Sequence, residues 1–233
     1  MKKYLLAVIL AGTMTQVRAM TYEYVTLPGS TTSGGQVNAQ ATVTVNNGSI
    51  ALLMTNLSAN PTSVAQLISG ITFNVSGANG SGALVTSNGG TISTISTGGS
   101  YTAGVSSPLN HWQASETGTS INVTTLTGSQ PNELIIGPDS AGGFVGAGSY
   151  SNANPSITNK NPTTLGSASF QIAAPGVTSS SSLANLAFLF GTTPGVDWIY
   201  GSVVSVPEPS SLALLGIGLA GLGFARRKNR KVA

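Results

Sequence analysis

Chemistry in this chain has few residues to draw on. Of its 233 residues only six are Asp or Glu, one is His and none is Cys. The single histidine lies in Leu109-Asn110-His111-Trp112-Gln113-Ala114-Ser115-Glu116. There His111 could pair with a carboxylate as an acid/base couple, and Trp112 could offer a sugar-stacking face beside Glu116. The plainer reading is an exposed loop with Trp112 anchored on a sheet. Trp198 is the second indole able to serve as a carbohydrate platform. Glycoside hydrolysis needs two carboxylates at a set separation, and no spacing among Glu116, Glu133, Asp139 and Asp197 singles out a pair. Asn132, Glu133 and Asp139 supply oxygens for a Ca²⁺ loop eased by Gly137 and Gly142, but three donors fall short of a recognisable motif, and a polar turn is the simpler reading. Serines abound without a Gly-x-Ser-x-Gly elbow between a strand and a helix. No catalytic residue, cofactor or metal is expected, and the body is read as non-enzymatic.

The charge distribution also excludes partners. Eight of the nine cations are Lys2, Lys3, Arg18, Arg226, Arg227, Lys228, Arg230 and Lys231, leaving Lys160 against Glu23, Glu116, Glu133, Asp139 and Asp197 between residues 20 and 205, a net of 1 − 5 = −4. The overall charge of +3 therefore belongs to the two ends. No basic patch remains to displace counterions from phosphates, so nucleic acid is not an expected partner. Without cysteine, stability has to come from packing.

The elements that must position these residues read as strands and turns. Val37, Ala39, Ala41, Val43 and Val45 alternate with polar residues, then Asn47-Gly48 predicts a tight type I′ hairpin turn into Ser49 to Met54. Ile71 to Val75, Ile121 to Thr127, Ala168 to Ile172 and Ile199 to Val204 repeat the alternation, and Leu183 to Phe190 is a continuous apolar run, a central strand or a short helix. Ser87-Asn88-Gly89-Gly90, Thr97-Gly98-Gly99 and Ala141-Gly142-Gly143 read as turns. One short helix is predicted over Ser63 to Ser69, between Pro61-Thr62-Ser63 and Gly70, and the sparsely apolar stretch from Ala147 to Pro162 as a long surface loop. The expected fold is all-β: a single β-sandwich of jelly-roll type over residues 20–205.

Both ends read as addresses. Residues 1–19 have Lys2 and Lys3, an apolar run from Tyr4 to Ala11, and Val17-Arg18-Ala19, the pattern of a signal peptide cut by signal peptidase after Ala19. Residues 206–233 begin with Pro207-Glu208-Pro209, a stiff extended spacer, followed by the uncharged run Leu212 to Ala225 and the basic cluster Arg226, Arg227, Lys228, Arg230 and Lys231. Fourteen uncharged residues make a helix of roughly 21 Å against a hydrocarbon core of about 30 Å. A transmembrane helix over about residues 211–225 is therefore expected to insert weakly, with the basic tail 226–231 stopping it on the cytoplasmic side.

The ordered set of Pro207-Glu208-Pro209, apolar run and Arg226-Arg227-Lys228 resembles the PEP-CTERM sorting signal of Gram-negative bacterial surface proteins. That resemblance implies an exosortase, a membrane-embedded protease or transpeptidase, as partner. It also implies export across the inner membrane, transient anchoring there with the C-terminus inside, and delivery to the cell surface or extracellular matrix in association with exopolysaccharide.

Overall fold

The computed structural model describes residues 19–127, 131–144 and 146–204; the expected signal peptide, sorting motif, transmembrane helix and basic cluster lie outside them, apart from Ala19. In chain order the strands are β1 (Met20–Thr26), β2 (Thr31–Thr32), β3 (Gly35–Gln36), β4 (Ala39–Asn46), β5 (Ser49–Asn56), β6 (Ile68–Val75), β7 (Ala83–Ser93) and β8 (Ser100–Thr102). They continue with β9 (Ser106–Ser107), β10 (Gln113–Thr117), β11 (Ser120–Thr124), β12 (Ile135–Ile136), β13 (Ala147–Ser149), β14 (Thr163–Ala173), β15 (Leu183–Phe190) and β16 (Asp197–Val204). The one α-helical turn among the described residues is α1 (Pro155–Thr158), capped by Asn154.

The all-β class is as expected, but the architecture is not two packed sheets. Strands β6, β15, β16, β1, β4, β5 and β14 follow one another in a single sheet, and β12 pairs with both β14 and β6, closing a barrel-like ring of eight. The registers that close it are Ile135 opposite Thr164 and Ile136 opposite Leu165 on one side, and Ile135 opposite Ile68 on the other. Closure leaves fewer strand edges open to stray pairing than a sandwich would. A single two-residue strand, β12, carries this join, and a buried amide staples it: Asn56 Nδ2 donates to the carbonyls of Ile135 at 2.8 Å and Gln66 at 2.9 Å, while its Oδ1 accepts from Ser58 N.

Side-chain alternation then builds two cores. Tyr24, Val43, Leu52, Phe73, Phe170 and Phe188 fill the barrel. Leu67, Ile95, Tyr101, Leu134, Tyr150 and Ile157 form a second cluster under the long loops at one end. Strand β12 is the wall between them, with Ile135 facing the barrel and Leu134 and Ile136 the second cluster, as a period of two requires.

Several local expectations change. The β4–β5 hairpin has the expected loop, with Asn46 opposite Ser49, but only Gly48 takes a positive φ (73°), so the turn is not type I′. Its backbone is held from outside: Gly48 N donates to Val177 O, Ala174 N donates to Gly48 O, and Ser179 N donates to Asn47 Oδ1. The helix expected over Ser63 to Ser69 is a single 3-10 turn, Val64–Gln66. Its capping box of Ser63 and Gln66 is real, but β6 takes the chain from Ile68 onward for the barrel. Ser87 to Gly90 is no turn; β7 runs through it with register shifts against β14. The stretch from Ala147 to Pro162 is no plain surface loop, since it holds β13, α1 and the fully buried Tyr150 and Ile157. Leu183 to Phe190 is a strand.

Candidate functional site

The chemistry-bearing residues gather at one end of the barrel, where β6, β14 and β16 start and β1 ends. Trp112 precedes β10 and is buried, not a sugar platform: its ring packs on Phe170 with centroids 5.0 Å apart, and its Nε1 donates to Glu133 O at 3.0 Å. Glu133 is therefore the organiser of this corner. Its N–H donates to Pro162 O at 2.7 Å, its carbonyl also accepts from Thr164 Oγ1 at 3.0 Å, and its φ is 60°, a left-handed conformation costing about 1 kcal/mol for a residue with a Cβ. Four hydrogen bonds at this residue, two to its carbonyl, one from its N–H and one to its carboxylate, outweigh that cost.

The carboxylate of Glu133, buried to 3 % exposure, turns back onto His111. Oε2 accepts from the His111 backbone N–H at 2.9 Å, and Oε1 lies 3.1 Å from Nδ1 of the half-exposed ring. The carboxylate partner of His111 is thus Glu133, and Glu116 is remote from the pair. It sits toward the other end of β10, where Oε1 accepts from Gly80 N at 2.6 Å. A carboxylate beside an imidazole orients it for proton transfer, but the ring contact among the described residues is the single ion-pair approach of Nδ1 to Glu133.

Asp139 builds a second station. Oδ1 accepts from Ala141 N at 2.9 Å and Gly143 N at 3.1 Å, and Oδ2 accepts from Tyr101 Oη at 3.1 Å. Burial opposes ionisation here, yet the hydrogen bonds from Gly143, Tyr101, Ala141 and Ser149 hold the Asp139 carboxyl below the usual carboxylate range. Burial, then the hydrogen bond and charge of Asp139, push the Tyr101 phenol up to about 12. Gly148 is required at this contact, because a Cβ there would meet Asp139 Oδ2 at 2.1 Å. Beside Tyr101 opens a cleft of about 640 Å³ lined mainly by Ile92, Ser93, Ser100, Thr102, Gly104 and Gly148.

As for the Ca²⁺ loop weighed against a polar turn, the carboxylates of Glu133 and Asp139 go to separate partners, His111 and Tyr101, and among the described residues no group of three His, Asp or Glu side chains could hold a metal ion. No hydrogen bond among the described residues joins two of the acids, and Asp197 instead accepts from Ser33 N at 3.0 Å and Ser33 Oγ at 2.9 Å.

Trp198 differs from Trp112. On β16 it points outward, 38 % exposed, and Tyr200, two residues on and 70 % exposed, shares its face. Between them Ile199 packs against the barrel core.

A polar β-barrel with one held imidazole, one ordered acidic loop and an aromatic pair on its wall defines no reaction by itself. The C-terminal segment is more informative: residues 205–230 match the PEP-CTERM protein-sorting motif. That motif marks a secreted protein sorted by exosortase, with export and membrane processing at the C-terminus. No curated protein and no solved structure matches the chain. The match contains Pro207, Glu208, Pro209, the apolar run and the cations Arg226, Arg227, Lys228 and Arg230, while Lys231 lies one residue beyond it.

Proposed function

We propose that this is a non-enzymatic cell-surface or extracellular-matrix protein whose tail is a temporary address. The single observation that carries the reading is the sorting motif at 205–230. After signal peptidase cuts behind Ala19, the run Leu212 to Ala225 pauses the chain in the inner membrane, and its cations keep the C-terminus inside. Pro207-Glu208-Pro209 then stands extended at the outer face, where exosortase cleaves near Val206 to Pro209 and the body passes to the exopolysaccharide-rich surface. A non-catalytic body is supported by the spent chemistry of its corner, where the carboxylate of Glu133 and the indole N–H of Trp112 serve the fold. Glu208→Ala tests the sorting step. It lies outside the apolar run, so insertion is expected to survive while full-length protein accumulates in the membrane; normal release of the variant would refute the role of Glu208. Neutralising Arg226, Arg227 and Lys228 is expected to impair stopping and orientation instead.

A second reading, a carbohydrate-binding body, is favoured by the exposed Trp198 and Tyr200 pair. Exposed aromatic rings offer apolar faces on which a sugar ring can stack. Loss of affinity for purified exopolysaccharide in Trp198→Ala would support it, and unchanged affinity would remove it.

A further inference from the structure

Strand registers bring both termini of the barrel to one end. Val204, the last residue of β16, lies opposite Glu23 of β1, and Met20, the first of β1, lies opposite Val45. The loops at this end are residues 47–48, 76–82, 118–119 and 174–182. None of them contains Asp, Glu, Lys, Arg or His. One ionisable side chain reaches them from a strand: Glu116, bound through Oε1 to Gly80 N, with its other oxygen buried and unpartnered. Glu23 stays on the wall, hydrogen-bonded to Gln40. The other five of the seven ionisable Asp, Glu, Lys, Arg and His side chains between residues 20 and 204, namely His111, Glu133, Asp139, Lys160 and Asp197, belong to the opposite end.

Chain length ties this end to the membrane. From Val204 to Leu212 there are 212 − 204 = 8 residues, so at most about 29 Å of extended chain separates β16 from the apolar run. A tether of that reach keeps the barrel beside the bilayer, and the part of its surface that is least costly to bring near lipid is the part that turns toward it. Charged groups lose hydration near a low-dielectric slab, whereas hydroxyls, amides and backbone groups exchange water for phospholipid headgroup partners at little cost.

We infer that, while its tail is held in the membrane, the barrel stands on the outer phospholipid surface with its terminus-bearing end down, the end whose loops carry no ionisable side chain and whose Met20 amino group, freed by signal peptidase, is a cation suited to anionic headgroups. The inference rests on the tail being a membrane segment, as proposed above. It presents His111, Glu133 and Asp139 away from the membrane. Strand β16, at eight residues, spans about 25 Å, so the two ends differ in distance to the lipid by far more than the size of a fluorescent label.

The chain has no cysteine, so single labels can be placed at will. Thr119→Cys and Ser180→Cys mark the terminus-bearing end, Leu27→Cys and Thr193→Cys the opposite one, and all four positions are exposed. Each labelled chain, running from Met20 to Ala233 without the signal peptide, is reconstituted in phosphatidylethanolamine/phosphatidylglycerol vesicles carrying a headgroup-attached quencher, after flotation has measured membrane association. The expected result is flotation of all four, with quenching severalfold stronger at Thr119 and Ser180 than at Leu27 and Thr193. Flotation with equal or inverted quenching overturns the orientation and leaves the tail reading intact. Failure to float overturns both, and two labels per end guard against one variant that misfolds.

Discussion

The two tryptophans sit on one barrel and have opposite fates. Trp112 gives up its ring to Phe170 and its N–H to Glu133, whereas Trp198 keeps an exposed face on β16 next to Tyr200. Identical chemistry becomes architecture in one place and available surface in the other, and the difference is whether the polar atom is spent. The same criterion applies to the acids. Glu133 and Asp139 are buried and fully engaged, so their value to the protein is measured first in stability.

That contrast can be broken by substitution. Trp112→Ala in the mature protein is expected to cost about 3–5 kcal/mol, through lost transfer energy and a cavity beside Phe170, while Thr164 Oγ1 still satisfies the Glu133 carbonyl; chemical denaturation measures it, and a cost as small as that of a surface change would return Trp112 to the list of free platforms. Next in size, Glu133→Ala removes the acceptor of the part-buried His111 backbone N–H and is expected to cost about 1–3 kcal/mol. Thermal melting with His111→Ala as the companion separates the contributions: because the carboxylate also holds the backbone, losing the ring alone must cost less.

Asp139 and Tyr101 sharpen the comparison through pH. The Asp139 carboxyl is held below its ordinary value in the fold, so its contribution is fully present above the ordinary carboxylate range and is lost as pH falls through the depressed folded value. Wild type should therefore lose more stability on acidification below about pH 4 than Asp139→Asn. Tyr101 has the opposite sign. Its phenol is pushed up to about 12, so its contribution holds below the ordinary value of about 10 and disappears between the two. Melting curves across that alkaline window should fall more steeply for wild type than for Tyr101→Phe. Smallest of all is the effect of Trp198→Ala on folding, expected within about 1 kcal/mol because the ring lies on the outer wall; a larger loss in melting would show that it is structural like Trp112.

Much of the barrel was legible because burial alternates along its strands. Val37 to Val45 and Ile71 to Val75 have a polar partner at every second position, and β4 and β6 form there. What escaped was long-range. The closing strand is two residues, Ile135–Ile136, too short for any periodicity, and it exists because Asn56 and β6 meet it from far along the chain. Ser63 and Gln66 do form a capping box, but the helix it announces ends after one turn because β6 claims Ile68. The partner of His111 lies 22 residues away on a non-glycine residue with positive φ, which no local pattern marks. In the stretch from Ala147 to Pro162, Tyr150 and Ile157 were diluted by polar neighbours although both fill the second core. The sorting signal behaves differently, because its meaning lies in the order of short linear features that need no folded partner to be read.

The central claim is that the tail is an address removed in passage, and the intact mass of wild-type protein recovered from the surface of cells with a functional exosortase tests it most directly. The expected mass corresponds to a chain beginning at Met20 and ending between Val206 and Pro209, with any group attached there appearing as a defined increment. A mass that retains Ala233 would contradict the claim and make Leu212 to Ala225 a permanent anchor.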